Sequence, residues 1–185
     1  MMSVATTSRS GLLTRGDLDA LRPEEGVERY ELLDGAILVT PGPGRRHQSV
    51  VLELAMLLRL HRPSGLVVKI APFAVVLSDD TELQPDVLLA RQSDLTDQNL
   101  PAVPLLVVEV LSPTTWHRDL GEKMAAYARA GVRHYWVLAP DVPSITIYQL
   151  EGDDEYAEFA HAEGTQPAHV TEPVELTLRP ADLVD

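Results

Sequence analysis

Short apolar runs separated by turn residues dominate the chain and predict several β-strands with a few helices between them. The segment RYELLDGAILVT at residues 29–40 predicts a hairpin, because Asp-Gly is a preferred turn pair between two apolar runs. Further strands are predicted at residues 65–70, 73–77, 83–91, 105–111, 133–139, 144–150, 155–160 and 174–178. We therefore expect a β-sheet at the centre of the fold.

Helical patterns occur in three places. A short helix is predicted at residues 14–21, and a longer one from His47 to about Leu60. The third covers residues 118–131 and ends at Gly131, a residue that suits the position after a helix end. This helix lies between two strands, which predicts a parallel strand pair with a right-handed crossover. Together with the hairpins, the pattern predicts an α/β or α+β fold with a central mixed sheet flanked by helices.

Composition limits the class of protein. The 185 residues are 45% apolar, which fits one globular domain over residues 14–185 after a flexible tail at residues 1–13. The absence of cysteine excludes disulfides, thiolate nucleophiles and cysteine metal sites. No apolar run is long enough to cross a bilayer, and the first residues lack the pattern of a secretory signal. We expect a cytoplasmic protein with no membrane contact.

The net charge of −13 disfavours nucleic acid as a partner, but its distribution matters more than its total. Residues 134–185 hold 11 acidic residues and one arginine, so the acid is concentrated in a strand region at about residues 141–185. Residues 45–62 carry a local net charge of +3 and form the best candidate for a DNA-backbone contact. The residues proposed for that contact are Arg45, Arg46, His47, Arg59 and Arg62. An ordinary solvated surface is the alternative interpretation.

Glu109 is the first candidate for a functional residue, because it interrupts the apolar run LLVVEVL at residues 105–111. An unpaired carboxylate in a buried strand costs several kcal/mol. Asp86, after Pro85, also lies at the edge of an apolar run. If the two strands are neighbours, the two carboxylates share one site, and they then share a proton or bind a cation. Magnesium favours such oxygen ligands.

Lys123 is the third candidate, and one of only two lysines in the chain. At 100° per residue it falls in the same helical stripe as Trp116, Leu120 and Tyr127. An ammonium group on that face could pair with Glu109, orient a water or stabilise charge on a phosphate. Alternatively, its stem covers the core while its head reaches water.

The ordered segments RYELLDG, HQ, QPDV, VVEVLSPTT and RDLGEKMAAYARAGVRHYWVL resemble the Uma-type family of restriction-endonuclease-like proteins, within the PD-(D/E)XK superfamily. In this resemblance Asp86 and Glu109 match metal-binding acidic positions. Leu111 stands where the superfamily usually has its lysine, and Lys123 matches the place to which this family moves it. Glu31 matches a further acidic position that could complete the metal shell. Ala36 replaces a glutamate that the family often has after the turn glycine.

The resemblance implies a restriction-endonuclease-like fold, metal-dependent cleavage of DNA with Mg²⁺ or Mn²⁺, and a homodimer. We expect no small-molecule cofactor, because the segment PGPGRRHQ lacks the phosphate-loop pattern. The expected geometry has Asp86 and Glu109 on neighbouring strands, their carboxylates roughly 4–6 Å apart. For the dimer interface, the strand at residues 144–150 is predicted as an exposed sheet edge.

Two other interpretations remain open from the sequence. The same fold could serve as a non-catalytic module that binds nucleic acid or protein. An unrelated structural protein could also contain these residues, with Glu109 paired to an arginine such as Arg118. Trp116, Tyr135 and Trp136 are expected in the hydrophobic core.

Overall fold

A computed structural model of the chain describes residues 12–21 and 28–184. The helices are α1 (Arg15–Leu21), α2 (Arg45–His61), α3 (Trp116–Asp119) and α4 (Glu122–Arg129). The strands are β1 (Arg29–Leu33), β2 (Ala36–Thr40), β3 (Leu66–Ile70), β4 (Ala74–Ser78), β5 (Thr81–Leu83), β6 (Val87–Arg91), β7 (Asn99–Leu100), β8 (Leu106–Val110), β9 (His134–Ala139), β10 (Ser144–Glu151), β11 (Glu155–Glu163), β12 (Ala168–Val170) and β13 (Leu176–Leu178). Short 3₁₀ turns lie at Gln92–Asp94 and Pro180–Leu183.

A six-stranded mixed sheet forms the centre of the fold, in the order β11-β10-β9-β8-β6-β3. β8 and β9 are parallel, as predicted for a strand–helix–strand unit, and the other neighbours are antiparallel. The predicted fold class, a mixed α/β architecture with a central mixed sheet and flanking helices, is confirmed.

The predicted first hairpin is present, but it joins a second sheet. Five strands form this sheet in the order β2-β1-β5-β4-β7. The turn residues Asp34 and Gly35 have φ angles of 48° and 75°, the left-handed conformation that a tight two-residue hairpin turn needs. A third, two-stranded sheet pairs β12 with β13. The hairpin therefore brings β1 towards the centre of the molecule from a different layer.

Helices cover both faces of the six-stranded sheet. On one face, Val50, Leu54 and Leu58 of α2 pack in a cluster with apolar residues of β6, β8, β9 and β10. On the other face, Ala126 and Tyr127 of α4 belong to a second cluster that includes side chains of β8 and β9. Because both faces are covered, the continuous apolar pattern of β8 is explained.

The predicted third helix is divided in two, which corrects one expectation. α3 ends at Asp119, and α4 begins at Glu122 after Gly121. Because the single stripe does not continue across this break, Trp116 leaves the core and is 52% exposed, whereas the other tryptophan, Trp136, is fully buried. The core prediction was therefore wrong for Trp116 and correct for Trp136 and Tyr135.

The strand predicted as a sheet edge lies inside the sheet. β10 pairs with β9 on one side and with β11 on the other, because the chain turns back after Glu151. The edges of the six-stranded sheet are β11 and β3. A dimer interface at an exposed β10 edge is therefore ruled out.

At the beginning of the chain, the predicted tail falls mostly outside the described residues. Of its residues, Leu12 and Leu13 are described, and the backbone N–H of Leu13 donates a 3.0 Å hydrogen bond to the carbonyl of Gly35. Among residues 12–21 and 28–184, no helix is both long enough and apolar enough to span a membrane.

Candidate active site

The two carboxylates proposed as metal ligands, Asp86 and Glu109, lie at facing positions of neighbouring strands. In the antiparallel pair β6–β8, Val87 faces Val108. Asp86 directly precedes Val87, and Glu109 directly follows Val108, so the two residues lie side by side where this antiparallel pairing ends. The backbone N–H of Val110 donates a 2.8 Å hydrogen bond to Asp86 Oδ2 and fixes this carboxylate against β8. The expected placement on neighbouring strands is confirmed.

A cavity of about 220 Å³ lies beside these carboxylates. Four buried acidic residues line it: Glu31, Asp86, Glu109 and Asp119. Its basic residues are Arg29, Lys123 and Arg118, with His47 beside them. Glu31 was expected to border the same cleft, and this position is confirmed. All four residues of the predicted catalytic set therefore meet at one cavity.

Lys123 is the partner of Glu109. Its ammonium nitrogen lies 3.3 Å from Glu109 Oε1, 3.0 Å from Glu31 Oε1 and 3.8 Å from Asp119 Oδ1. The hydroxyl group of Tyr127 also donates to Glu109 Oε1, at 3.4 Å. Lys123 is buried, so the interpretation of a lysine that reaches water was wrong. Arg118 is not among the described contacts of Glu109. This argues against the interpretation of an unrelated structural protein in which Glu109 pairs with an arginine such as Arg118.

Asp86 has a different set of partners. Arg29 donates from Nη2 to Asp86 Oδ1 at 2.8 Å, and His47 Nε2 lies 3.0 Å from Oδ2. The second ring nitrogen of His47, Nδ1, is buried and has no hydrogen-bond partner among residues 12–21 and 28–184. Arg29, His47 and Asp86 separate the 220 Å³ cavity from a larger neighbouring one of about 940 Å³. They line both cavities.

The electrostatic balance around Lys123 is negative, because three carboxylates contact one ammonium group. Burial is the main cause that raises the pKa of Glu109 well above its ordinary value; Lys123 opposes the rise, while Asp86, Asp119 and Glu31 add to it. Burial also raises the pKa of Asp119 against the opposing effects of Lys123 and Thr115. For Lys123, burial alone lowers the pKa, but the surrounding carboxylates outweigh it and raise the pKa. Lys123 therefore stays charged, and burial favours the protonated forms of Glu109 and Asp119.

The pKa of Asp86 shifts in the opposite direction, downwards. Burial on its own raises the pKa of Asp86, but the hydrogen bond from His47, the positive charge of Arg29 and the N–H of Val110 lower it to about 2. Asp86 is therefore a fixed negative charge at neutral pH. The two facing carboxyl groups differ in the ease of protonation, because one has cationic partners of its own and the other shares a single lysine.

The residues proposed for DNA contact divide into two groups along α2. His47 lines both cavities and Arg45 lines the larger one, while the nearby Arg46 lies 3.7 Å from Asp141. Arg59 and Arg62 lie at the other end of the helix, about 20 Å away at 1.5 Å per residue. The guanidinium group of Arg62 donates to the backbone carbonyls of Arg59 and Leu66 at 2.6 and 2.7 Å. Of the five residues, the structure therefore brings only His47 and Arg45 to the two adjoining cavities.

The donor chemistry of the cavity fits a hard divalent cation. Asp86 and Glu109 supply only oxygen ligands, and the described hydrogen bonds of Glu31 and Glu109 involve their Oε1 atoms alone. Within residues 12–21 and 28–184, no three acidic or histidine side chains converge in an arrangement that could hold a metal ion by themselves. Magnesium is commonly held by one or two carboxylates together with waters and substrate phosphates. The pair of carboxylates fits that mode, and a complete protein cage is absent from the described part of the chain.

Two contributors to the site were missed by the sequence analysis. Asp119 lies four residues before Lys123, a spacing that places both side chains on one helical face and could have indicated the contact. Arg29 gave no such signal, because its partner Asp86 is 57 residues away and directly precedes a strand of a different sheet. His47 had been proposed to touch phosphate, but its described contact is with Asp86.

Comparison with known proteins defines the family. Residues 16–181 match the family described as "Uma2: Putative restriction endonuclease". The chain belongs to this family, as the sequence motifs predicted.

A similar fold occurs in a solved structure from Anabaena variabilis, a crystal structure of a "putative nuclease belonging to DUF820". The two chains share 19% sequence identity, with a TM-score of 0.71 over 90% of this chain and 95% of the other. At this level of identity the similarity shows the fold alone. No curated protein matches the chain.

Proposed function

We propose that this protein is a metal-dependent endonuclease that hydrolyses phosphodiester bonds in DNA, with Mg²⁺ or Mn²⁺ as its cofactor. The observation that carries the proposal is the meeting of Asp86, Glu109 and Lys123 at one cavity. Membership of a family described as a restriction endonuclease supports nuclease-like activity. The negative balance around Lys123 supports a cationic ligand, since a divalent ion would offset the excess of carboxylates.

In the proposed mechanism, Asp86 and Glu109 would hold the cation, and Glu31 is the candidate for a further ligand. A bound divalent cation would lower the pKa of a water molecule and neutralise charge on the attacked phosphate. In the hydrolysis, the water oxygen forms a bond to phosphorus while the bond from phosphorus to the leaving sugar oxygen breaks. Occupation of the site also requires that Glu109 be ionised, because a protonated carboxyl group is a poor ligand.

Lys123 is proposed to orient the attacking water or to stabilise the charge that develops on the phosphate. Its contacts with Glu31 and Glu109 fix the ammonium group, so little reorganisation is needed at the moment of reaction. Arg118, half-buried at the same cavity, is suited to donate to the phosphate oxygens that do not react. Arg45 lines the neighbouring cavity and is the best-placed exposed arginine for the adjoining DNA backbone.

A second function is a non-catalytic module that binds nucleic acid or protein and keeps the nuclease fold. The observation in its favour is that the acidic groups already have partners: Arg29 and His47 for Asp86, and Lys123 for Glu109. A cation would have to compete with these contacts. The two functions differ in whether the site binds metal and breaks DNA strands.

The experiment is a digestion of DNA by the purified protein with added Mg²⁺ or Mn²⁺, with chelator, and with the Asp86→Ala variant. The catalytic function predicts cleavage that needs the metal and falls by more than about a hundredfold in the variant. Thermal melting of the variant, compared with the wild type, separates loss of catalysis from loss of fold. DNA binding without cleavage in either metal would support the non-catalytic module and contradict the enzyme.

A further inference from the structure

We propose that Trp116 is a base-stacking platform at the mouth of the cavity, and that the preferred substrate is DNA with unpaired bases rather than a regular duplex. This inference rests on the proposed nuclease function and names its substrate class. It comes from the position of α3, which the sequence alone did not predict.

Trp116 lies in the open next to residues that line the cavity. Thr115, directly before it, and Arg118, two residues after it, belong to the cavity wall. Trp116 is 52% exposed, and its ring lies in a T-shaped arrangement with the His117 ring, with centroids 6.0 Å apart and planes at 84°. Leu120, one turn further on and also exposed, extends the same apolar surface. In a nucleotide, a flat base is attached close to a charged phosphate. An exposed indole ring next to a polar cavity is therefore well suited to stack on the base of a nucleotide whose phosphate enters that cavity.

The cavity beside Trp116 has the groups that a phosphate needs. The hydroxyl group of Ser112 lies in its wall, 2.9 Å from that of Thr115, which itself donates to Asp119 Oδ2 at 2.9 Å, and Arg118 adds a guanidinium group. A nucleotide bound with its phosphate among these residues has a base within the reach of a neighbouring aromatic ring. Phosphate recognition and base stacking therefore occur on the same turn of chain, from Ser112 to Arg118.

The size and depth of the cavity favour a single strand. Its volume of about 220 Å³ is smaller than most ligand pockets, and the carboxylates that line it are buried. A phosphate on a rigid duplex is held at the surface of a wide cylinder, while a flexible strand can bring one phosphate into a narrow cavity.

The geometry of base stacking also favours DNA with unpaired bases as the substrate. A base inside a duplex is covered on both faces by its neighbours, so an indole ring can stack only on a base that is unpaired or at an end. Stacking on an aromatic side chain contributes about 1–3 kcal/mol per base, and it tolerates any sequence. Trp116 therefore supplies a preference for strand structure and not for base sequence.

The two tryptophans allow a direct test, because Trp136 is fully buried and Trp116 is the one that solvent reaches. The intact protein is titrated in chelator with a short DNA single strand and with a hairpin duplex of the same composition, while tryptophan emission and affinity are measured. We expect the single strand to quench the emission and to bind more tightly. Trp116→Ala should weaken single-strand binding about five- to a hundredfold, and Trp116→Phe should retain most of it. Phe159→Ala, which removes a similarly exposed ring on β11, is the matched control and should bind as the wild type does.

Equal or tighter binding of the duplex would overturn the inference, as would a Trp116→Ala variant that binds the single strand normally. A change in oligomeric state in Trp116→Ala, with DNA binding unchanged, would also overturn it and assign the ring to a protein contact. These outcomes leave the proposed nuclease function intact if metal-dependent cleavage persists. If the proposed nuclease function is itself wrong, the result is different: no DNA substrate is cleaved with either metal.

Discussion

At the scale of single residues, the central finding is that the ammonium group of Lys123 contacts three carboxylates at once. The sequence predicted the importance of Glu109 and Lys123, because a charge within an apolar run and a lysine within an apolar stripe are both costly unless they are paired. It could not predict Arg29 or His47 as partners of Asp86. They come from β1 and α2, which are distant in sequence, and nothing in the local pattern relates them to Asp86.

The first prediction concerns removal of the lysine. Lys123→Ala leaves three buried carboxylates without their shared cation, and it should lower the free energy of unfolding by about 3–5 kcal/mol. Chemical denaturation of the variant and the wild type measures the difference. Lys69→Ala is the matched control, since Lys69 is the only other lysine, is exposed, and lies over the ring of Phe73.

The same variants separate stability from catalysis. Cleavage is measured well below the unfolding transition of Lys123→Ala, where the folded state is populated, and should be lost in Lys123→Ala but retained in Lys69→Ala. An unchanged unfolding curve for Lys123→Ala would contradict the buried contacts. Normal cleavage by its folded form would remove Lys123 from the mechanism.

At the scale of secondary-structure elements, most predictions were confirmed, but two predicted elements are divided: the helix at Gly121, and the strand at residues 83–91, which is split between β5 and β6 of different sheets. The Asp-Gly hairpin, the long helix α2 and the strands around residues 86 and 109 have strong local signals. The segment from Trp116 to Arg129 has apolar residues at helical spacing throughout, and one glycine does not by itself end a helix. The division into α3 and α4 depends on how the chain packs beside the cavity, which the local pattern does not contain.

The second prediction concerns this break. A Cβ atom at Gly121 would lie 2.8 Å from the backbone carbonyl oxygen of His117, so Gly121→Ala requires the backbone to move. We expect a loss of about 1–3 kcal/mol in the free energy of unfolding, together with a change in Trp116 emission. Gly44→Ala is the control, because nothing lies within 4 Å of the added atom and the φ angle of −75° suits alanine. Equal stability of the two variants would show that the close approach at Gly121 is not a constraint.

At the scale of the whole molecule, the sequence predicted the fold class and the family but not the arrangement of the layers. The parallel pair β8–β9 follows from a general rule about crossover connections. The separate five-stranded sheet depends on long-range pairing, such as that of β1 with β5, for which the sequence carries no local signal. The placement of β10 inside the sheet has a local cause instead, because its two neighbours, β9 and β11, directly precede and follow it in the chain.

The homodimer stays a prediction, and the structure changes its expected location. The edge strand β11 is protected by Glu155, Glu158 and Glu163, since a second copy would place like charges against them. The other edge, β3, has Lys69 as its one charged residue and lies beside exposed apolar residues of α2, among them Met56. We therefore expect a second copy of the chain to pair through β3 and α2.

Light scattering at tens of micromolar protein tests this third prediction. The wild type should be a dimer, and Met56→Glu should shift it towards the monomer by placing a charge in the apolar contact. Phe159→Glu, the control on β11, should remain dimeric. A monomeric wild type, or a dimer that is lost in Phe159→Glu and kept in Met56→Glu, would contradict the assignment.

The most direct test of the central claim compares two buried carboxylates, of which only one lines the cavity. Glu109 faces Lys123 in the site, whereas Glu82 is equally buried but pairs with Arg15 away from the described cavities. Glu109→Gln and Glu82→Gln remove one charge each without changing the shape of the side chain. Glu109→Gln should remain folded, because Lys123 keeps Glu31 and Asp119 as partners.

The measurement is the opening of closed circular DNA, single-stranded and duplex, by the wild type and both variants in Mg²⁺ and Mn²⁺. We expect metal-dependent opening by the wild type and by Glu82→Gln, and a rate at least about a hundredfold lower for folded Glu109→Gln. Opening by Glu109→Gln at the rate of the wild type would contradict the assignment of Glu109, and intact circles in every reaction would contradict the nuclease itself.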